Sequence, residues 1–212
     1  MGYADCNNWD YDDHPNRKRI TERCNKLLEI LAKRPTRFSR YGVSTKRGHV
    51  FLFTGFAPPK CTELVGHYRG ENFSSLKNYN VGVPQDPRVG VQAFLVTHCM
   101  QQFDVQVLSA LSTLEAKLSA SSKPPASPAV LLVQFVSILC SVLEQFLTIH
   151  PYANGNGHTA RLLLWVLMRR FGYTPLNWPL DAHPAYDKAL SDYRDGRKNP
   201  LNQFILGCIV GP

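Results

Sequence analysis

The stretch "IHPYANGNGHTARLLL", residues 149 to 164, sets one histidine, two glycines and one arginine at spacings suited to phosphate chemistry. Gly155 and Gly157 flank Asn156 in a turn that leads directly into an apolar helical run. Glycine opens backbone conformations closed to other residues, so successive amides in such a turn can converge on one point. A helix N-terminus adds N–H groups without intrahelical acceptors and the positive end of the dipole, and both favour an anion. Arg161 follows Gly157 by one helical turn and projects on the same face, where its planar fork can grip phosphate oxygens. His150 precedes the turn; histidine titrates near neutral pH and can take a proton from an attacking hydroxyl.

Taken singly, these residues have ordinary readings. Asn-Gly pairs make exposed turns, and a histidine at the end of an apolar helix is a common dipole-stabilised terminus. A base, an amide cradle and a guanidinium in one short stretch favour a phosphate site. The stretch is not a Walker loop, since no G-K-[ST] follows, nor a dinucleotide fingerprint, since no strand precedes it.

The elements that would position this turn are mostly helical. A helix is expected over Pro15 to Lys33, with Ile20, Cys24, Leu27, Leu28 and Leu31 on one stripe and Pro35 as its stop. "HVFLFTGF" (His49 to Phe56) reads as a short strand, and Tyr68 with Tyr79 to Val83 as a strand pair in Gly/Pro/Asn-rich loop material. A second helix is expected from Val89 to Lys117, then a linker "SASSKPPASP" over 119–128. A third runs over Ala129 to Ile149, with Ser127 as its cap and Pro128 in its first turn; being apolar on nearly all sides, it belongs at the centre of the domain. A fourth runs from near His158 to Phe171, and shorter helices cover Pro184 to Asp195 and Pro200 to Ile209.

With 212 residues and 44% hydrophobic content, the chain suits one substantial domain with an appended arm. The division expected is a basic helical arm over 1–48 and a core over 49–212. A formal charge of +8, concentrated in Arg17 to Arg47 and Lys188 to Lys198, agrees with anionic partners or with a solvated surface. The six cysteines form no C-x-x-C pair and read as reduced, buried thiols. The acidic N-terminus has no signal-peptide pattern, and the apolar run over Ala129 to Ile149 is interrupted by Gln134, Glu144 and Gln145. A cytoplasmic protein, or one delivered into a host cytoplasm, is expected, with no membrane partner.

The run His150-Pro-Tyr-Ala-Asn-Gly-Asn-Gly-His-Thr-Ala-Arg161 resembles the Fic (Fido) signature, H-x-F-x-[DE]-G-N-G-R-x-x-R. "GHYRG" at 66–70 is similar to the family's lead into its flap, residues 80–87 to the end of that flap, and Tyr186, Leu190, Gly196, Pro200, Leu201, Phe204 and Ile205 to its closing helices. The resemblance spans roughly 49–209 and implies an all-α core with a small β-hairpin flap. It implies transfer of a nucleoside monophosphate, usually from ATP, to a Ser, Thr or Tyr hydroxyl of a target protein docked on the flap. His150 would be the base, and Asn154, Gly155, Asn156, Gly157, His158 and Arg161 would line the nucleotide phosphates. Tyr152, in the Phe position, would pack under the loop.

Two positions depart from that pattern. Asn154 stands where the family has the acidic residue that holds Mg²⁺, so a hard anionic ligand is replaced by a neutral amide. His158 stands where the family has its first arginine, exchanging a permanent cation for one only partly charged near neutral pH. The expectation is an attenuated nucleotidyltransferase, a transferase with another phosphate-containing donor, or a module that only binds nucleotide. Gly157 stands where a phosphotransferase branch has lysine, which implies nucleotidyl transfer. The nearest match to the family's inhibitory helix, "SDYRDG" at 191–196, carries Asp195 in place of glutamate, so no built-in inhibitor is expected.

Two other classes fit less well. His150 and His158 lack metal-ligand helical spacing, and His98 and His183 add no motif, so a metal hydrolase is disfavoured. The basic helix lacks a recognisable nucleic-acid-binding pattern, so nucleic acid is not an expected partner, while self-association is allowed.

Overall fold

The computed structural model describes residues 5–7, 9–33, 44–83, 86–119, 127–176, 178 and 186–210. Most of the linker read at 119–128, the stop at Pro35, His183 and the start of the helix read from Pro184 lie outside the described residues. Among the described residues are seven α-helices: α1 (Arg19–Lys33), α2 (Lys46–Phe53), α3 (Ala93–Ser119), α4 (Pro128–Ile149), α5 (Asn156–Arg170), α6 (Asp187–Arg194) and α7 (Asn199–Val210). The all-α class is as expected.

Each helix buries the stripe its sequence provides. In α1 the stripe is Ile20, Cys24, Leu27 and Leu31, spaced so that one face meets the core. α4 is the hub and packs against α3, α5, α6 and α7. From Phe135 onward its inner positions are buried, while Val130 and Val133 near its start are exposed. It is long and apolar enough to cross a membrane, and its buried face packs against four other helices. Pro128 occupies its first turn, whereas Ser127 makes no side-chain cap hydrogen bond. α5 is buried on every side from His158 to Met168.

The strand read at 49–56 is helix α2. Its branched and aromatic side chains fit either element, but Gly48, His49, Leu52 and Phe53 fall on one helical face and are all buried. Burial of that face outweighs the local preference for extended backbone. Close approach to α5 also needs a glycine here, because a Cβ on Gly48 would lie 2.6 Å from Leu162 Cδ2.

The strand pair read around Tyr68 and Tyr79 to Val83 is not formed either. The only β pairing among the described residues is a single antiparallel bridge between Val83 and Asp86. Local turns and one side chain satisfy the backbone instead: the Gly70 amide donates to the Leu76 carbonyl at 2.8 Å, and the Arg69 guanidinium takes the Tyr79 carbonyl at 3.1 Å.

The residues ahead of 49 share the core. Trp9, Tyr11, Ile20, Cys24, Leu27 and Leu31 belong to the same buried cluster as Phe53, Phe146 and Leu164. Cys6 and Cys61 form a disulfide, a correction to the reading of six reduced thiols; Cys24, Cys99, Cys140 and Cys208 are free. Position-scattered cysteines carry no pairing signal, because the turn that brings residue 6 beside residue 61 is set by tertiary packing.

Arg69, fully buried, ties these pieces together. Its guanidinium donates to the carbonyls of His150 (2.8 Å), Ile149 (3.0 Å), Val91 (3.0 Å) and Tyr79 (3.1 Å), and its own amide donates to the Pro151 carbonyl at 2.8 Å. Two of those acceptors are last-turn carbonyls of α4, where a cation is favoured. Burial lowers its pKa to about 10, so it stays charged at neutral pH. Arg69→Ala strands these carbonyls and is expected to destabilise the fold by about 3–5 kcal/mol in urea unfolding. A loss under about 1 kcal/mol would contradict this role.

Candidate functional site

The site starts where α4 ends. His150 is the C-cap of α4 in the left-handed conformation, φ 53°, and the only described non-glycine residue with positive φ. Such a conformation is costly for a residue with a Cβ and persists where surrounding contacts fix it; here Arg69 holds the His150 carbonyl. The turn lifts the imidazole off the helix axis while Pro151 prevents continuation.

His150 Nδ1 lies 3.3 Å from the Leu147 carbonyl. A carbonyl can only accept, so the proton is assigned to Nδ1 and the lone pair to Nε2. Burial, with smaller contributions from Arg69 and Arg194, lowers the His150 pKa to about 4. At neutral pH the imidazole is a neutral base.

The loop after Pro151 closes on itself. Asn156 Oδ1 accepts from the Tyr152 amide and Asn156 Nδ2 donates to the Tyr152 carbonyl, both at 2.9 Å. Tyr152 is wholly buried, its ring stacked on His49 at 3.9 Å between centroids and its hydroxyl paired with the Thr45 hydroxyl at 2.7 Å. Gly155 has φ 76°, and a Cβ there would lie 2.4 Å from the Phe53 ring, so both backbone and packing require glycine.

The first intrahelical bond of α5 is the Thr159 amide to the Gly155 carbonyl at 3.0 Å. The amides of Asn156, Gly157 and His158 therefore precede the ladder and have no intrahelical acceptor. The Gly155 amide is not in that set, because it donates to Asn154 Oδ1 at 2.6 Å. Arg161 is buried, and a Cβ on Gly157 would lie 3.1 Å from its Nη1, so the guanidinium sits over the glycine face of this turn. The Trp178 indole donates to the Arg161 carbonyl at 3.0 Å. The amide turn and Arg161 are thus brought together, and His150 stands at the end of α4 where the loop into that turn begins.

The two departing positions are both held by the N-terminal segment. Asn154 Nδ2 donates to the Trp9 carbonyl and to Asp10 Oδ1, each at 3.1 Å. Its oxygen already accepts the Gly155 amide and its nitrogen faces two acceptors, so position 154 offers a neutral, hydrogen-bonded amide in place of a carboxylate. Among the described residues no group of three or more His, Cys, Asp or Glu could hold a metal ion. His158 Nδ1 pairs with the Tyr11 hydroxyl at 3.1 Å, and burial raises the Tyr11 pKa above its ordinary range, so the phenol stays protonated.

His49 was not singled out in the sequence, where it stood in an apparent strand. It is wholly buried, accepts the Gly66 amide at Nδ1 (3.0 Å) and so carries its proton on Nε2, which donates to the Asn154 carbonyl (3.0 Å). Nothing in its neighbours signalled this; only a helical register for 46–53 points it at the loop.

Burial lowers the His49 pKa from 6.5 to about 3. The folded chain then binds fewer protons than the unfolded chain, so this contribution is complete above pH 6.5 and is lost as pH falls towards 3. His49→Gln keeps a donor to Asn154 and removes the titration. Its unfolding free energy should fall less steeply between pH 6.5 and 4 than that of the wild type; an unchanged slope would contradict this placement.

The Fic/DOC family model matches residues 76–168. A stretch of 60 residues is 38% identical to the "Protein adenylyltransferase Fic" of Drosophila virilis and, equally, to those of Drosophila melanogaster and Drosophila sechellia. It covers 28% of this chain and 12% of each relative, so the match spans about an eighth of their length. The matched segment contains the α4 terminus, the amide turn and most of α5, and over that segment the chain is similar to the Fic/DOC family.

Proposed function

We propose that this chain transfers a nucleoside monophosphate from a nucleoside triphosphate, most simply ATP, to a Ser, Thr or Tyr hydroxyl of a target protein. The observation that carries the reading is His150: a neutral imidazole whose Nδ1 proton is engaged by Leu147, leaving Nε2 as acceptor at the start of the loop that leads into an amide turn faced by a guanidinium. The name shared by the relatives, protein adenylyltransferase, supports the same reaction.

In this reaction the target oxygen attacks the α-phosphorus, its proton passes to His150 Nε2, and the bond to the β-phosphate oxygen breaks to release pyrophosphate. The amides of Asn156, Gly157 and His158 hold the transferred phosphate, and Arg161 binds phosphate oxygens across Gly157. The target segment docks along the stretch 80–83, exposed at Asn80 and Gly82, by backbone pairing in the manner of strand addition. The missing carboxylate at 154 and guanidinium at 158 would each have contributed about 3 kcal/mol of transition-state stabilisation, so turnover is slow.

The way Asn154 and His158 are tied to the N-terminal segment favours one second reading, a Fic domain that binds nucleotide without transfer. Incorporation of label from α-labelled ATP, GTP, CTP and UTP into lysate proteins separates the two. Wild type should label protein, with signal reduced at least about 100-fold in His150→Ala, the range a positioned general base supplies. No label from any of the four donors would leave only the binding reading.

A further inference from the structure

A polar crevice of about 260 Å³ opens beside the first turn of α5, between that turn and the N-terminal segment. His158 forms its α5 wall, Tyr11 and Asp12 another, and Arg17, Lys18 and Thr21 the third. Arg17 and Lys18 are exposed cations set at the entrance, against Asp12 as the one carboxylate in the lining. Behind them, the Arg161 guanidinium is close enough to act electrostatically on Tyr11, and the α5 dipole presents its positive end. The charge of the crevice therefore suits an anion.

Its lining narrows the ligand: cations and polar groups predominate, with one apolar side chain, so it suits phosphate oxygens better than a base. It also begins at His158, the position where the Fic pattern has the cation that this chain lacks.

We infer that Arg17 and Lys18 act as the clamp for the outer phosphates of the donor, supplying from outside the motif the positive charge missing at position 158. The inference rests on the nucleotide-donor reading above. The α-phosphate lies at the amides of 156–158, and the β- and γ-phosphates turn into the crevice between His158 and the two cations. There the departing pyrophosphate carries its charge beside a guanidinium and an ammonium. Recognition is of phosphate charge alone, so the nucleotide base plays no part in this subsite.

Calorimetric titration of the full chain with inorganic tripolyphosphate, ATP and AMP, in low-salt buffer without divalent cations, tests this. The variants are Arg17→Ala/Lys18→Ala, just ahead of α1, and, as an equal loss of charge on α1, Lys26→Ala/Lys33→Ala; all four side chains are exposed. The first variant should bind tripolyphosphate and ATP at least about tenfold more weakly, as expected for lost charged hydrogen bonds. It should bind AMP within about twofold of wild type, and the control should bind all three within about twofold. Equal ATP affinity in wild type and the Arg17/Lys18 variant overturns the clamp while leaving the donor reading intact. Equal weakening by both variants also overturns it, because general charge then explains the binding. Tripolyphosphate binding that depends on Arg17 and Lys18, with no binding of ATP or AMP, keeps the crevice as a condensed-phosphate site and removes the donor reading.

Discussion

The buried guanidinium of Arg69 is the interaction on which the site depends. It is paired with backbone carbonyls instead of a carboxylate, and those carbonyls come from three parts of the chain: the end of α4, the approach to α3 and the turn region near Tyr79. A charge removed from water is tolerated only where its donors are satisfied, so this cage fixes the positions of its contributors together. One result is the left-handed turn at His150, which would otherwise relax. The base and the loop that follows it are therefore set by a residue 81 positions away in sequence.

Beneath the loop, a second layer consists of His49, Tyr152, Phe53 and Thr45. His49 stacks on Tyr152 and donates to the Asn154 carbonyl, while Phe53 closes against Gly155. The N-terminal segment covers the other side, with the Trp9 indole donating to the Phe56 carbonyl at 2.9 Å and Tyr11 packed against His158. Asn154 and His158, the two departures from the Fic pattern, are accommodated by this cover. An acid at 154 would face Asp10, whereas an amide can donate to it. The local sequence of the motif and that of the N-terminal segment thus fit each other chemically.

The helices, their order and the motif turn were legible in the sequence because apolar stripes and glycine spacing are local signals. Helix ends differed by a few residues, as for α1, expected from Pro15 and observed from Arg19. What was not legible was tertiary. The segment 46–53 is rich in residues that suit strands, and burial of the face carrying Gly48, His49, Leu52 and Phe53 is what selects a helix. Around Tyr68 the backbone is satisfied by Arg69 and local turns, which no alternation pattern encodes. The Cys6–Cys61 pairing and the pairing of Tyr11 with His158 join residues 55 and 147 positions apart. Within the motif, the glycines and Arg161 were readable, but the use of the Gly155 amide by Asn154 was not.

The central claim is that a carbonyl-caged turn presents His150 as a neutral base with its lone pair on Nε2. Nitrogen-15 NMR of imidazole-labelled protein, with His150→Gln used to assign the resonance, tests it directly. The ring should be neutral and Nδ1-protonated at pH 7 and titrate near pH 4. An Nε2-protonated ring, or a midpoint near the ordinary histidine value of about 6.5, would contradict it.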